Sequence, residues 1–248
     1  MHPRDSLQRA FDACYEAFSV YPRPLAFHAS PLRNSAEILT AVTSAPLREL
    51  SSKNLGTYAG YAVTTVGDAE DYKHFLPRIF ELAIGWTGQP GLDAEMIALR
   101  LKHGNWREWP IPEQAAVEAV FAEAFAQARQ EHVEEIDVQA WLCGMAILGM
   151  PLSKALDDWL VDSGINSGLQ IAKFFLNATE SLHAIDAKDR AFWGYVDEVT
   201  VQRLKTWIED APVIARMIAT LDTVAPADRW IVEQAMKELA AVQSQTAH

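Results

Sequence analysis

The chain has 248 residues, half of them apolar, which is enough for one large domain or two small ones with a sizeable core. Its 33 Asp and Glu against 21 Lys and Arg leave a formal charge of −12, which repels phosphate backbones and anionic bilayers, so neither nucleic acid nor a membrane is an expected partner. Cys14 and Cys143 both sit inside apolar helical patterns and read as small core residues rather than as a disulfide framework, which suits a cytoplasmic location.

Residues 1 to 18 scatter charges among their apolar positions and lack the uninterrupted apolar centre of a signal peptide. A helix beginning after Asp5 is expected to show Leu7, Phe11, Cys14, Tyr15 and Phe18 on one side. Tyr21-Pro22-Arg23-Pro24 ends it, and residues 20 to 33 are expected to run as an extended connector. A short helix follows from Ser35 to Thr43, and Pro46 opens a turn. Ser51 or Ser52 can cap the helix that carries Leu55, Tyr58, Ala59 and Ala62, with Gly67 suited to stop it. Val63 to Val66 is rich in β-branched residues, but no alternating partner segment lies nearby, so a helix end is expected there.

From Tyr72 the apolar residues Phe75, Leu76, Ile79, Phe80, Ala83 and Trp86 recur at three and four residues, the spacing of one helix face. Pro77 interrupts that helix without shifting the period. Lacking an N–H, it leaves the Lys73 carbonyl unpartnered beside Asp71, His74 and Arg78. One bent helix is expected, with two abutting segments as the second reading. The block Pro46-Leu47-Arg48-Glu49-Leu50, Leu55, Tyr58, Thr64-Thr65-Val66-Gly67-Asp68, Lys73-His74-Phe75-Leu76-Pro77-Arg78 and Glu81-Leu82 resembles an uncharacterised family of bacterial helical proteins over residues 46 to 86. That resemblance implies an all-helical fold and carries no activity. Some members of the family have a Cys-x-x-Cys pair shortly before the block. Here the neighbourhood reads Phe27-His28-Ala29-Ser30, so the resemblance brings no metal or redox role.

Thr87 to Gly91 reads as a turn, and Leu92 to His103 as a helix closed by Gly104-Asn105. Trp106-Arg107-Glu108-Trp109-Pro110 is a connector with two tryptophans. Helix 112 to 131 has Val117, Val120, Phe121, Phe125 and Ala128 in one stripe, with Glu113, Glu118 and Glu123 expected on its outward side. Asp137 can cap a helix, Val138 to Leu148, that is apolar nearly all round and so must be surrounded. Even the longest apolar stretch, Trp141 to Leu152, is too short to span a bilayer, which needs about 20 residues. Helices are further expected from Pro151 to Gly164, 166 to 183, 189 to 209, from Asp210-Pro212, and from Pro226-Asp228 through Val242.

This amounts to about eleven or twelve helices with short loops. The expected fold is all-α, an irregular stack of antiparallel helix pairs in a HEAT-like superhelix, with a compact orthogonal bundle as the alternative. A single domain over residues 1 to 248 is expected, its softest boundary near 104 to 112. Asp71 with His74 and Glu180 with His183 repeat the i, i+3 carboxylate–imidazole spacing of helical di-iron proteins. One pair has Asp in place of Glu, and no further inward Glu stands out, so they read as helix-end pairs and no metal or cofactor is expected. Asp68, Glu70 and Asp71 read as a helix cap. Tyr58, Tyr61, Asp71, His74 and Arg78 form a candidate groove beside the freed carbonyl, and Trp106 and Trp109 are candidate partner anchors. The sequence contains no G-x-S-x-G, P-loop, H-E-x-x-H or glycine-rich dinucleotide turn. The leading functional expectation is a scaffold or adaptor for a protein or peptide, preferably a basic one, with the oligomeric state open. The alternative is an all-α enzyme or small-ligand receptor using the groove at Tyr61, Asp71, His74 and Arg78.

Overall fold

The computed structural model describes residues 3–85, 88–89, 91–136 and 138–246, with side chains described between residues 5 and 241 of those segments. Trp86, Thr87 and Pro90, which the sequence placed at a helix end and a turn, lie outside the described residues, as do the expected cap Asp137 and the side chain of Val242. Among the described residues there are twelve α-helices and no strand: α1 Pro3–Ala17, α2 Ser35–Val42, α3 Ser52–Tyr61, α4 Ala69–Ala83, α5 Ala94–His103, α6 Ile111–Ala128, α7 Val138–Ile147, α8 Ser153–Val161, α9 Ile165–His183, α10 Glu198–Ile208, α11 Ala211–Leu221 and α12 Arg229–Thr246. The chain divides into two compact units, Met1–Ala124 and Phe125–His248, the division falling within α6.

In the first unit α4 packs against α1, α3 and the turn Leu47–Glu49. It starts where the Asp68 carboxylate accepts the N–H groups of Glu70 and Asp71 at 2.9 and 3.0 Å, while the Asp71 carboxylate accepts that of Asp68 at 3.1 Å. This reciprocal cap satisfies donors that the first helical turn otherwise leaves open. Pro77 lies inside α4, which continues as one helix from Ala69 to Ala83. The buried face is Tyr72, Phe75, Leu76, Ile79 and Phe80, each fully covered. Burying a side chain of this size stabilises by about 1.5–3 kcal/mol relative to leaving it in water. Phe75 meets Tyr58 edge-on at 4.9 Å, Tyr58 stacks on Phe27 at 5.0 Å, and Phe80 meets Phe121 of α6 at 5.6 Å. Helix α3, capped by Ser51 with Asn54, stops at Tyr61. Val63 then takes a positive φ of 63°, and the loop reaches the connector through Ser30 N–H to Thr65 O at 2.9 Å and Gly67 N–H to His28 O at 2.7 Å.

In the second unit α9 is the centre, packed by α7, α10, α11 and α12. Gly168 makes the approach of α11 close: a Cβ there would lie 2.0 Å from the Thr220 hydroxyl. Helix α7 is buried at Val138 and from Trp141 through Ile147, as its apolar circumference requires. Trp159 of α8 packs with Phe125, Phe174 and Trp207 at centroid distances of 5.4 to 5.7 Å and donates its indole N–H to Ser167 O at 3.1 Å. The helix expected over 189 to 209 is instead two 3₁₀ turns, Ala187–Asp189 and Ala191–Tyr195, followed by α10. Gly194 sits so close to Ala187 that a Cβ would lie 2.2 Å from its carbonyl oxygen, and Asp197 begins a new helix by accepting the Thr200 N–H at 2.9 Å.

Tyr58 and Tyr72 are both fully buried, and neither hydroxyl has a hydrogen-bond partner. A hydroxyl with no partner opposes burial, so its removal costs nothing. Tyr58→Phe and Tyr72→Phe are therefore expected to match or exceed the parent in urea denaturation, whereas Tyr58→Ala should lose about 3–5 kcal/mol. A loss above about 1 kcal/mol in either phenylalanine variant would mean that the hydroxyl is satisfied.

Candidate functional site

The five residues of the expected groove take separate tasks in the first unit. Tyr58 belongs to the core just described, and burial, followed by the charge of Asp71, holds its phenol well above the usual range. Asp71 completes the α4 cap; burial raises its carboxyl, partly countered by the Asp68 N–H. His74 donates from Nδ1 to Tyr21 O at 2.9 Å, which sets its tautomer. Arg78 donates from Nε to Leu50 O at 2.9 Å and pairs with Glu81 at 2.8 Å, and Glu81 also accepts the Tyr15 hydroxyl at 2.7 Å. His74 and Arg78 thus tie the connector at Tyr21 and the turn at Leu50 to α4. Tyr61 alone lines an open pocket of about 420 Å³, where the Arg33 guanidinium lies 3.6 Å from its ring centre.

Both connector tryptophans are buried, Trp106 at 3 % and Trp109 at 7 % exposure, so neither ring is presented to solvent. Trp109 donates its indole N–H to Gly104 O at 2.8 Å and meets Phe18 edge-on at 6.0 Å. Its face carries the ammonium of Lys73 at 4.4 Å.

Lys73 marks the densest polar arrangement of this unit, and periodicity did not single it out. Only 6 % exposed, it contacts Glu113 Oε2 at 2.7 Å and donates to the Tyr21 hydroxyl at 2.9 Å, while that hydroxyl donates to Glu113 Oε1 at 2.7 Å. Glu113, expected on the outward side of α6, is 4 % exposed because Lys73 draws it inward. Burial works against the Lys73 charge, but the bonds to Glu113 and Tyr21 outweigh it and raise its pKa above the ordinary lysine value. A lysine nucleophile must be neutral, and this one is held charged. The arrangement joins connector, α4 and α6. Cys14 is likewise held as a thiol, by burial first and then by the charge of Glu81.

In the second unit a pocket of about 650 Å³ opens at the start of α9, lined by Gln130, Asp162, Ile165, Asn166, Thr223 and Asp228 among others. Asp162 accepts the Gly164 N–H at 2.9 Å and stands 3.8 Å from Arg129 Nε. Asp228 stands 3.3 Å from His132 Nε2. Arg216 donates to the main-chain oxygens of Asp162 and Gly164 at 3.1 and 2.6 Å, and burial lowers its pKa. The signal for this pocket in the sequence was faint: Gly164 read only as a helix stop and Asp228 only as a cap. Of the two carboxylate–imidazole pairs, His74 is engaged by Tyr21, while His183 pairs with Glu209 at 2.8 Å. Among the described residues no cluster of His, Cys, Asp or Glu could hold a metal ion, and no helix is long and apolar enough to cross a membrane.

Compared with known proteins, the chain matches no family model, no curated protein and no solved structure.

Removing Lys73 leaves a buried carboxylate without its counter-charge. Lys73→Met is expected to destabilise by about 3–5 kcal/mol, and the double variant Lys73→Met/Glu113→Leu to recover most of that loss. Urea unfolding followed by tryptophan fluorescence reads both. Losses that simply add would show the two side chains to be uncoupled.

Proposed function

We propose that this protein is a helical scaffold that holds a basic peptide or protein segment, and that the second unit supplies the receiving pocket. The observation that supports this reading is the 650 Å³ opening at the start of α9, with the carboxylates of Asp162 and Asp228 on its wall, in a chain of charge −12. Its size falls within the range of about 300–1,000 Å³ common for binding clefts. The neighbouring basic groups leave both carboxylates with hydrogen-bonding capacity to spare: Arg216 is committed to two main-chain oxygens and to Thr220, Arg129 reaches Asp162 only as an ion pair at 3.8 Å, and His132 faces Asp228 at 3.3 Å. A lysine or arginine side chain entering there would gain charge-assisted bonds, and the negative field would favour its approach. Stacked helix pairs and a reducing compartment, which suits two buried free thiols, belong to the same proposal.

Isothermal titration with a Lys/Leu peptide and its Glu/Leu counterpart tests it. The basic peptide should bind with an affinity that falls as salt rises, and Asp162→Asn/Asp228→Asn should weaken it by about tenfold, the loss expected for one charge-assisted hydrogen bond. Equal binding of both peptides, or no change in the double variant, would overturn the reading.

A further inference from the structure

The 420 Å³ pocket of the first unit has the opposite electrostatics. Two cations line it, Arg33 and Lys53, against one acid, Glu37. The Glu37 carboxylate is already taken at 3.1 Å by the Asn34 amide, which also caps α2. The Asn54 amide is engaged with Ser44 and Ser51. The two cations, by contrast, have no ion pair among the described residues, and the buried Nε–H of Arg33 finds no acceptor. A buried donor left without an acceptor is costly, so the guanidinium that carries it gains from any acceptor that the open pocket brings to its edge.

The guanidinium is also fixed in plane. It lies over the Tyr61 ring at 3.6 Å, so its N–H groups are offered along its edge. The backbone beneath is set by a turn in which Arg33 N–H donates to Ser30 O at 2.9 Å, and Ser30 N–H donates to Thr65 O at 2.9 Å. A planar fork of donors suits any acceptor that offers two oxygens side by side, and the apolar wall beside it favours a carboxylate with an apolar body over a bare phosphate. The remaining wall is Leu32, Ile38 and Ala41, with Thr57 beside them.

We propose that this pocket binds a small organic carboxylate: Arg33 takes both oxygens edge-on, Tyr61 holds the guanidinium flat, Lys53 adds a second positive charge, and Ile38 and Ala41 receive the apolar body. This site is independent of Asp162 and Asp228. Isothermal titration of the full chain with acetate, hexanoate, benzoate and inorganic phosphate at matched ionic strength tests it. Hexanoate or benzoate should saturate a single site and bind more tightly than acetate and phosphate. Arg33→Lys keeps the charge but loses the fork, and should weaken that binding by about tenfold or more. Lys53→Gln should cost only a few-fold.

Should Arg33→Lys lower the melting temperature, the wild-type Arg33 Nε–H resonance supplies the reading, because hexanoate must shift it on binding. Failure of hexanoate and benzoate to saturate would overturn the proposal. So would phosphate binding as tightly as hexanoate, Arg33→Lys without effect in a stable variant, or an unmoved Nε–H resonance.

Discussion

The first unit depends on one buried charge. Lys73 occupies the covered arc of α4 beside Tyr72 and Leu76, where an ammonium has lost nearly all its water. Desolvating such a pair costs several kcal/mol per ion, so the position is tolerable only when the partner is close and the remaining donors are used. Glu113 and the Tyr21 hydroxyl meet that condition, and the faces of Tyr21 and Trp109 take the rest of the ammonium at 4.7 and 4.4 Å. The consequence is geometric. Turning α6 by one residue would swing Glu113 through about 100°, stranding Lys73 and separating Phe121 from Phe80. Hydrophobic contact alone would accept several rotations of an alanine-rich helix such as α6; the ion pair accepts one.

The second unit reaches a defined arrangement by a different route. Its centre is apolar and close-packed, and specificity comes from shape: the missing side chain of Gly168 admits Thr220, and Trp159 fills the space among Phe125, Phe174 and Trp207. Polar groups enter mainly to close main-chain ends, with Arg190 also pairing with Glu198 at 2.6 Å. Gln170, almost fully buried, donates to the carbonyls of Ala128, Glu131 and Ile136, and Arg216 closes those of Asp162 and Gly164. Carbonyls at the ends of helices must find donors or water, and here long side chains supply them. What is left open at the start of α9 is bounded by Asp162 and Asp228, with Arg216 turned to the backbone and Arg129 and His132 at 3.8 and 3.3 Å from the two carboxylates.

Much of the helical architecture was legible because period and punctuation are local. The faces of α1, α4 and α7 and the caps at Ser51, Asp68 and Asp210 all follow from residues a few positions apart, whereas α3, expected to carry Ala62 and to stop at Gly67, ends at Tyr61 because Val63 turns the chain with a positive φ. The polar centre was not, since Glu113 in a first helical turn reads equally well as a dipole complement facing water. Only a lysine about 40 residues away in the chain decides otherwise, and sequence spacing carries no record of that meeting. The break before α10 was obscured in the same way. Trp193 and Val196 keep a helical period, but Gly194 against Ala187 and the cap at Asp197 divide the segment. Tyr61 was visible as a candidate, whereas the arginine that lies on it comes from a connector with no period at all.

A common logic separates the charges that hold this protein together from those that can recognise something else. Where a side chain is both buried and paired, as with Lys73 and Glu113, moving it would break the unit, so evolution of a ligand contact there would cost the fold. Arg33 and Lys53 carry no such penalty, and Asp162 and Asp228 are held only by a turn N–H and by contacts to Arg129 and His132 at 3.8 and 3.3 Å. Arg33 and Lys53 lie on a connector and the first turn of α3, and Asp162 and Asp228 lie in the loops before α9 and α12, all on segments whose ends are anchored by neighbouring helices. A rigid frame with loosely committed charge at its loops is the general arrangement for binding, because loops tolerate change and the frame holds them still. The two pockets carry opposite charge for the same reason. Each unit leaves at its pocket the charges that its core did not draw inward.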